Sequence, residues 1–171
     1  NGYTLFSVAR YAGNPKARVI SSKTQNWIWG FHAGGVHKWH PSGWVSNHGG
    51  GDTNWHIHSG DINNAGDPQA NFWTDGAQKA TNHKGSNNTA YKPGLMSFGG
   101  LWHGSNNEFS NSEVAEVVMY NRVLSKDERE MVEAYLSQKY DLTHPRKSKD
   151  TQIDNYPFKF KILAGNADGT D

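Results

Sequence analysis

Two glutamates stand three residues apart in the stretch SEVAEVVMY, at positions 113 and 116. A pair of carboxyl groups flanking one glycosidic bond is the usual machinery of glycoside hydrolysis. To cooperate, the pair must share a face. Side chains at i, i+2 and i+4 of a strand do so, and an offset of three sends them to opposite faces unless a bulge adds a residue. No aspartate lies between Glu113 and Glu116. The positions that alternate with Glu116, namely Val114, Val118 and Tyr120, hold no acid. The spacing therefore predicts no hydrolytic pair, with Glu113 solvated at a strand end and Glu116 paired or at a sheet margin.

A second group of side chains suits recognition. WIWGFHAGGVHKWH reads as a hairpin with Gly34-Gly35 as its two-residue turn. That register sets His32 opposite His37 and Gly30 opposite Trp39. One face then collects Trp29, Phe31, Ala33 and Val36 as core, and the other collects His32, His37 and Trp39. In NWHIHSG, Trp55 and Ile57 share one face while His56 and His58 share the other. Adjacent strands of this kind predict a polar-aromatic surface of His32, His37, Trp39, His56 and His58. An indole stacks on the apolar face of a sugar, and imidazoles exchange hydrogen bonds with its hydroxyls. The same His-x-His spacing suits a divalent transition metal such as zinc, and a ligand-free sheet surface is a third reading. A change of one residue in the turn reverses every facing. Trp102 and His103 join the ligand-binding candidates from a polar loop, LWHGSNNEFSNS.

The elements that must position these residues are mostly short strands. Tryptophan, tyrosine and phenylalanine number seven each, and glycine 19. Turn formers and aromatics in that proportion predict strands joined by tight turns. YTLFSVARY, ARVIS, NWHIHSG and LMSFGG read as strands, and QANFWTDGAQKA as a hairpin about Asp75-Gly76. VAEVVMY is apolar on both faces and reads as an interior strand. One helix follows. Ser125 with Glu128 makes a capping-box pattern, and Met131, Val132, Tyr135, Leu136 and Tyr140 form an apolar stripe. Beyond Pro145 and the basic run Arg146, Lys147 and Lys149, FKFKIL alternates apolar and basic residues and reads as an extra strand within 156–164, placed at a sheet edge by its lysines.

The length of 171 residues fits one domain with a substantial core. The net charge of +1 gives no electrostatic footprint for nucleic acid. No cysteine is present, which removes disulfides and thiolate metal sites. No apolar run approaches the roughly 20 residues of a membrane-spanning helix, so no membrane insertion is expected. The chain opens on Asn1 and reads as a processed product or an excerpt.

VAEVVMYNRVLSKDEREMVEAYLSQKY resembles the closing strand, "R-x-L-S-x-x-E" turn and short helix of laminin-G-like domains in the concanavalin A-like lectin/glucanase superfamily. NWHIHSGD followed by NFWTDGAQKA is similar to their paired central strands, and FWTDG is also similar to pentraxins. The likeness runs from about residue 3 to 142. It implies an all-β jelly-roll sandwich of two antiparallel sheets with one short C-terminal accessory helix, spanning 1–143 and followed by a tail over 144–171. The first strand or strands of such domains have no counterpart ahead of YTLFSVARY. The resemblance implies a rim-loop calcium ion with Asp52, Asn54, Asp61 and Asp67 as ligands, while Asp75 is accounted for by its turn. The acidic motif of the superfamily's glucanases, E-x-D-x-E, is absent. The resulting expectation is a non-catalytic carbohydrate-binding or adhesion module of a longer extracellular, cell-surface or virion-associated protein, with a glycan or polysaccharide and neighbouring domains as partners. Two alternatives stand beside it: a structural module contacting other protein subunits, and a polysaccharide hydrolase or lyase with a site not apparent in the motifs.

Overall fold

The computed structural model describes residues 2–63, 69–84, 92–100 and 108–143. Among them ten strands form two antiparallel five-stranded sheets. The strands are β1 (Tyr3–Tyr11), β2 (Ile20–Ser22), β3 (Trp27–His32), β4 (Gly35–Pro41), β5 (Ser46–His48), β6 (His56–Asn63), β7 (Gln69–Thr74), β8 (Ala77–His83), β9 (Met96–Phe98) and β10 (Ser112–Tyr120), followed by α1 (Lys126–Lys139). Sheet A has the order β10-β1-β6-β7-β8, and sheet B the order β5-β4-β3-β2-β9. This is the all-β sandwich with one accessory helix that the alternation and turns predict. The expected strand within 156–164 lies outside the described residues.

The two sheets meet over an aromatic core. Alternate residues of β1 point inward, and Tyr3, Leu5, Ala9 and Tyr11 are buried against Trp27, Trp29, Phe31, Trp39 and Phe72. Trp29 is the centre. Its ring packs edge-on to Trp39 at 5.1 Å and to Phe72 at 5.3 Å. Its Nε1–H donates to Ser7 Oγ across the core at 2.8 Å, so the indole's one polar atom is satisfied. The remaining alternation of sheet A serves a second cluster. Phe6, Val8 and Ile57 point outward and are covered by Leu124, Val132 and Leu136.

The helix begins as its capping box dictates. Ser125 Oγ accepts from Glu128 N–H, and the Glu128 carboxylate accepts from Ser125 N–H. Arg122 grips the same carboxylate with both terminal nitrogens, at 2.8 and 2.6 Å. These contacts, the Arg122 hydrogen bond foremost, hold Glu128 down to a pKa of about 2. Farther along, buried Glu133 accepts from Arg129 and from Ser59 Oγ. The Arg129 guanidinium lies 4.0 Å over the Trp73 ring.

Two sequence expectations need correction. The first hairpin turns on Ala33-Gly34, both at positive φ (49° and 83°), and pairs His32 with Gly35. A bulge between Gly30 and His32 then sets Trp29 opposite Trp39. The second correction concerns β10, which among the described residues lies at the edge of sheet A. Its two apolar faces are explained by the inter-sheet core on one side and the helix cluster on the other.

Candidate functional site

The shifted register sorts the histidines and tryptophans anew. Trp39 shares a face with Trp29 and is fully buried, so it offers no surface to a sugar. His56 and His58 also point between the sheets and are buried. His58 stacks on Phe72 and meets Phe31 edge-on at 4.8 Å. Its Nε2 lies 2.7 Å from the Val36 carbonyl, which only accepts, so Nε2 carries the hydrogen. Nδ1 has no hydrogen-bond partner. Burial drives the His58 pKa down to about 3 and keeps the ring neutral.

His56 is the opposite case. Its Nδ1 donates to Asp75 Oδ2 at 2.6 Å and its Nε2 to Asp52 Oδ1 at 3.0 Å. Burial works against its charge, but the two carboxylates together outweigh it and raise the pKa. Asp75 Oδ1 also accepts from Ile57 N–H, which ties the β7–β8 turn to β6. His37 is half-buried, with its ring 6.2 Å from that of His56. The expected surface is therefore not formed: the register of the first hairpin turns Trp39 into the core, while His56 and His58 follow the inward face of β1, opposite Ala9 and Ser7, because the Ile57 face of β6 is the one the helix covers.

Among the described residues no three His, Cys, Asp or Glu side chains are placed to hold a metal ion. Asp52 is spent on His56 and on the backbone of Asn54. Asp61 is no rim ligand; it is buried in β6 and accepts from Asn71 Nδ2 at 2.8 Å. Asp67, Trp102 and His103 lie outside the described residues.

The outer face of sheet B gathers what the inner face does not. Trp44, in the β4–β5 connection, is half-buried. The His40 ring lies 4.9 Å from it, the His32 ring 5.8 Å, and Lys38 Nζ 5.9 Å. His40 Nδ1–H donates to the Asn26 carbonyl at 3.0 Å, leaving Nε2 as an acceptor. Arg18 bridges Glu108 and Asn26 Oδ1. The other oxygen of Glu108 is 3.6 Å from His32 Nε2. Burial lowers the pKa of both His32 and His40, so each imidazole is poised neutral. Of the predicted ligand residues that the structure describes, His32 alone sits here. Trp44, His40, Arg18 and Glu108 escaped the sequence reading because they come from three separated segments. The alternation of Lys38 with Trp39 was the available signal, had the register been right.

The glutamates of β10 also fall differently. The β1–β10 register slips at a bulge, with Val8 opposite Glu116 and Ala9 opposite Val114. Ala115 is the extra residue. Arg10 is opposite Glu113, so Glu113 and Glu116 stand two β1 positions apart and share the outer face. The prediction of opposite faces was wrong. Neither carboxylate is poised for acid–base chemistry, however. Glu113 pairs with Arg10 at 2.7 Å, and Glu116 accepts from Lys139 Nζ and Tyr140 Oη, each at 2.9 Å.

No protein-family model matches the chain, and no curated protein sequence matches it. Solved structures do. A mutant of Trypanosoma rangeli sialidase displaying trans-sialidase activity aligns at a TM-score of 0.57 with 17% identity, over 83% of this chain and 24% of that one. Trypanosoma rangeli sialidase in complex with 2,3-difluorosialic acid, a covalent intermediate, aligns at 0.53 with 16% identity over the same shares. The chain thus spans about a quarter of those sialidases, and the likeness is one of fold. No laminin-G match accompanies it. These neighbours are sialidases, which stands against the expectation of a non-catalytic carbohydrate-binding or adhesion module.

Proposed function

We propose that this sandwich is part of a glycan-cleaving enzyme, and that it meets a carboxylate-bearing sugar on the Trp44 face of sheet B. The observation that carries the reading is the convergence of Trp44, His32, His40, Lys38 and the Arg18–Glu108 pair on one face. The Trp44 indole supplies an apolar platform for a sugar ring. Lys38 supplies positive charge for a carboxylate, and the buried Arg18 holds Glu108 in place beside His32. Neutral His32 is free to take up a proton, and the nearby Glu108 carboxylate stabilises the imidazolium that results. The sialidase neighbours support an acidic sugar by analogy of fold alone.

The test uses the full chain and a panel of sialosides, uronate polysaccharides and neutral glucans. Released sialic acid, reducing ends and unsaturated-uronate absorbance are followed in parallel. Turnover of an acidic substrate is expected, with Trp44→Ala raising KM at least tenfold and His32→Ala lowering kcat. Absence of turnover across the panel, or turnover that survives both substitutions unchanged, rejects the proposal.

A further inference from the structure

The edge strand β10 is longer than an exposed sheet edge usually is. It has nine residues, and among the described residues β1 is its sole partner. Unpaired edges of that length are templates for another strand. Beside it runs an open cleft of roughly 500 Å³ between β9 and β10, whose lining includes Phe98, Ser110, Ser112, Val114, Val117 and the charged Glu116. Phe98, in the lining, is 56% exposed, and on β10 itself Met119 is 47% exposed. The two faces of β10 differ in chemistry. Val114, Val117 and Met119 lie on the inner side, opposite Ala9, Ser7 and Leu5, and Glu113 and Glu116 lie on the outer side.

We infer that the chain's own segment FKFKIL, residues 158–163, adds to sheet A along the free edge of β10. Strands paired in a sheet share its two faces. Phe158, Phe160 and Ile162 then cover Val114, Val117 and Met119 and fill the cleft, while Lys159 and Lys161 fall on the side of Glu113 and Glu116. The tether is in the right place. The end of α1 is fastened to β10 through Lys139 and Tyr140, which both donate to Glu116. Fourteen residues, 144–157, separate Thr143 from Phe158. They reach up to about 45–50 Å when extended, more than the ~30 Å length of a nine-residue strand. The inference is independent of the enzymatic reading.

Hydrogen exchange on the full chain tests it, comparing wild type with Phe160→Asp/Ile162→Asp. Amides within 112–120 are expected to exchange at least tenfold faster in the variant, with those of β3 and β6 unchanged. Equal rates in the two proteins overturn the inference. Should the variant unfold, the absence of native cysteine permits a second test. Val117→Cys is combined in turn with Phe158→Cys, Phe160→Cys and Ile162→Cys. At least one pair should close an intramolecular disulfide in the monomer. If all three remain reduced, or cross-link only between two copies, the edge has another occupant and the inference is wrong.

Discussion

Gly60 marks a tight point of the core. It sits in β6 beneath the two central indoles. A β-carbon there would lie 3.0 Å from Trp29 Cη2, 3.0 Å from Trp39 Cζ3 and 3.0 Å from the Asn71 carbonyl oxygen. The backbone of Gly60 is not in the left-handed region, so Gly60→Ala tests packing without backbone strain. Both rings are fully buried and hold each other edge-on, so neither can swing aside. Overpacking a core of this density costs about 1–3 kcal/mol. Gly60→Ala should lower the urea midpoint accordingly at unchanged m-value. A variant as stable as wild type would mean that the indole pair yields, and that the core is looser than these contacts state. At the same scale, a residue's type announced burial poorly. Trp39 and Trp44 are equally plausible sugar platforms by composition, and a single bulge between Gly30 and His32 decides which one is core.

Elements were legible where local chemistry overdetermines them. Asp75-Gly76 demands positive φ at both residues, and the chain supplies 51° and 73° with Thr74 opposite Ala77. Ser125 and Glu128 form the capping box that their spacing announces. The first hairpin failed because Ala33-Gly34-Gly35 offers two overlapping turns, and the choice of Ala33-Gly34 is made by strand pairing and not by the turn residues. The bulge at Ala115 was equally invisible, since alanine carries no signal for it. The helix gives a graded prediction. Ser125→Ala removes one cap and should cost about 1 kcal/mol. Arg129→Met removes the cation beside the Glu133 carboxylate, which is 1% exposed, and should cost about 3–5 kcal/mol. Thermal or urea unfolding of the two variants ranks them. If Ser125→Ala is the more damaging, α1 is held by its start and not by its buried ion pair.

Five histidines of the described residues stand in two opposed states, and the stability of the whole molecule should follow pH accordingly. Burial first of all depresses His58, His37, His32 and His40, whereas the two carboxylates raise His56 against burial. A histidine with a lowered folded pKa binds its proton more readily when unfolded. Below the ordinary value of about 6.5 each such group therefore takes stability away, at a limit of about 1.4 kcal/mol per pH unit. For His58 that window runs from about 6.5 down to a pKa of about 3. The half-exposed rings count for less. His56 acts on the other limb: its stabilisation is complete below about 6.5 and is lost as pH rises through its raised value. Asp52 and Asp75, both lowered, give up their share only below about pH 4. The urea midpoint should therefore peak near pH 6–7 and fall on both sides. His58→Gln retains a donor toward the Val36 carbonyl and does not titrate, so it should flatten the acid limb between pH 6 and 4.5. Asp75→Asn should flatten the alkaline limb. An acid limb equally steep in His58→Gln would show that the proton uptake driving acid unfolding occurs elsewhere, and that the buried imidazole between the sheets is not the group that sets the lower pH boundary of this sandwich.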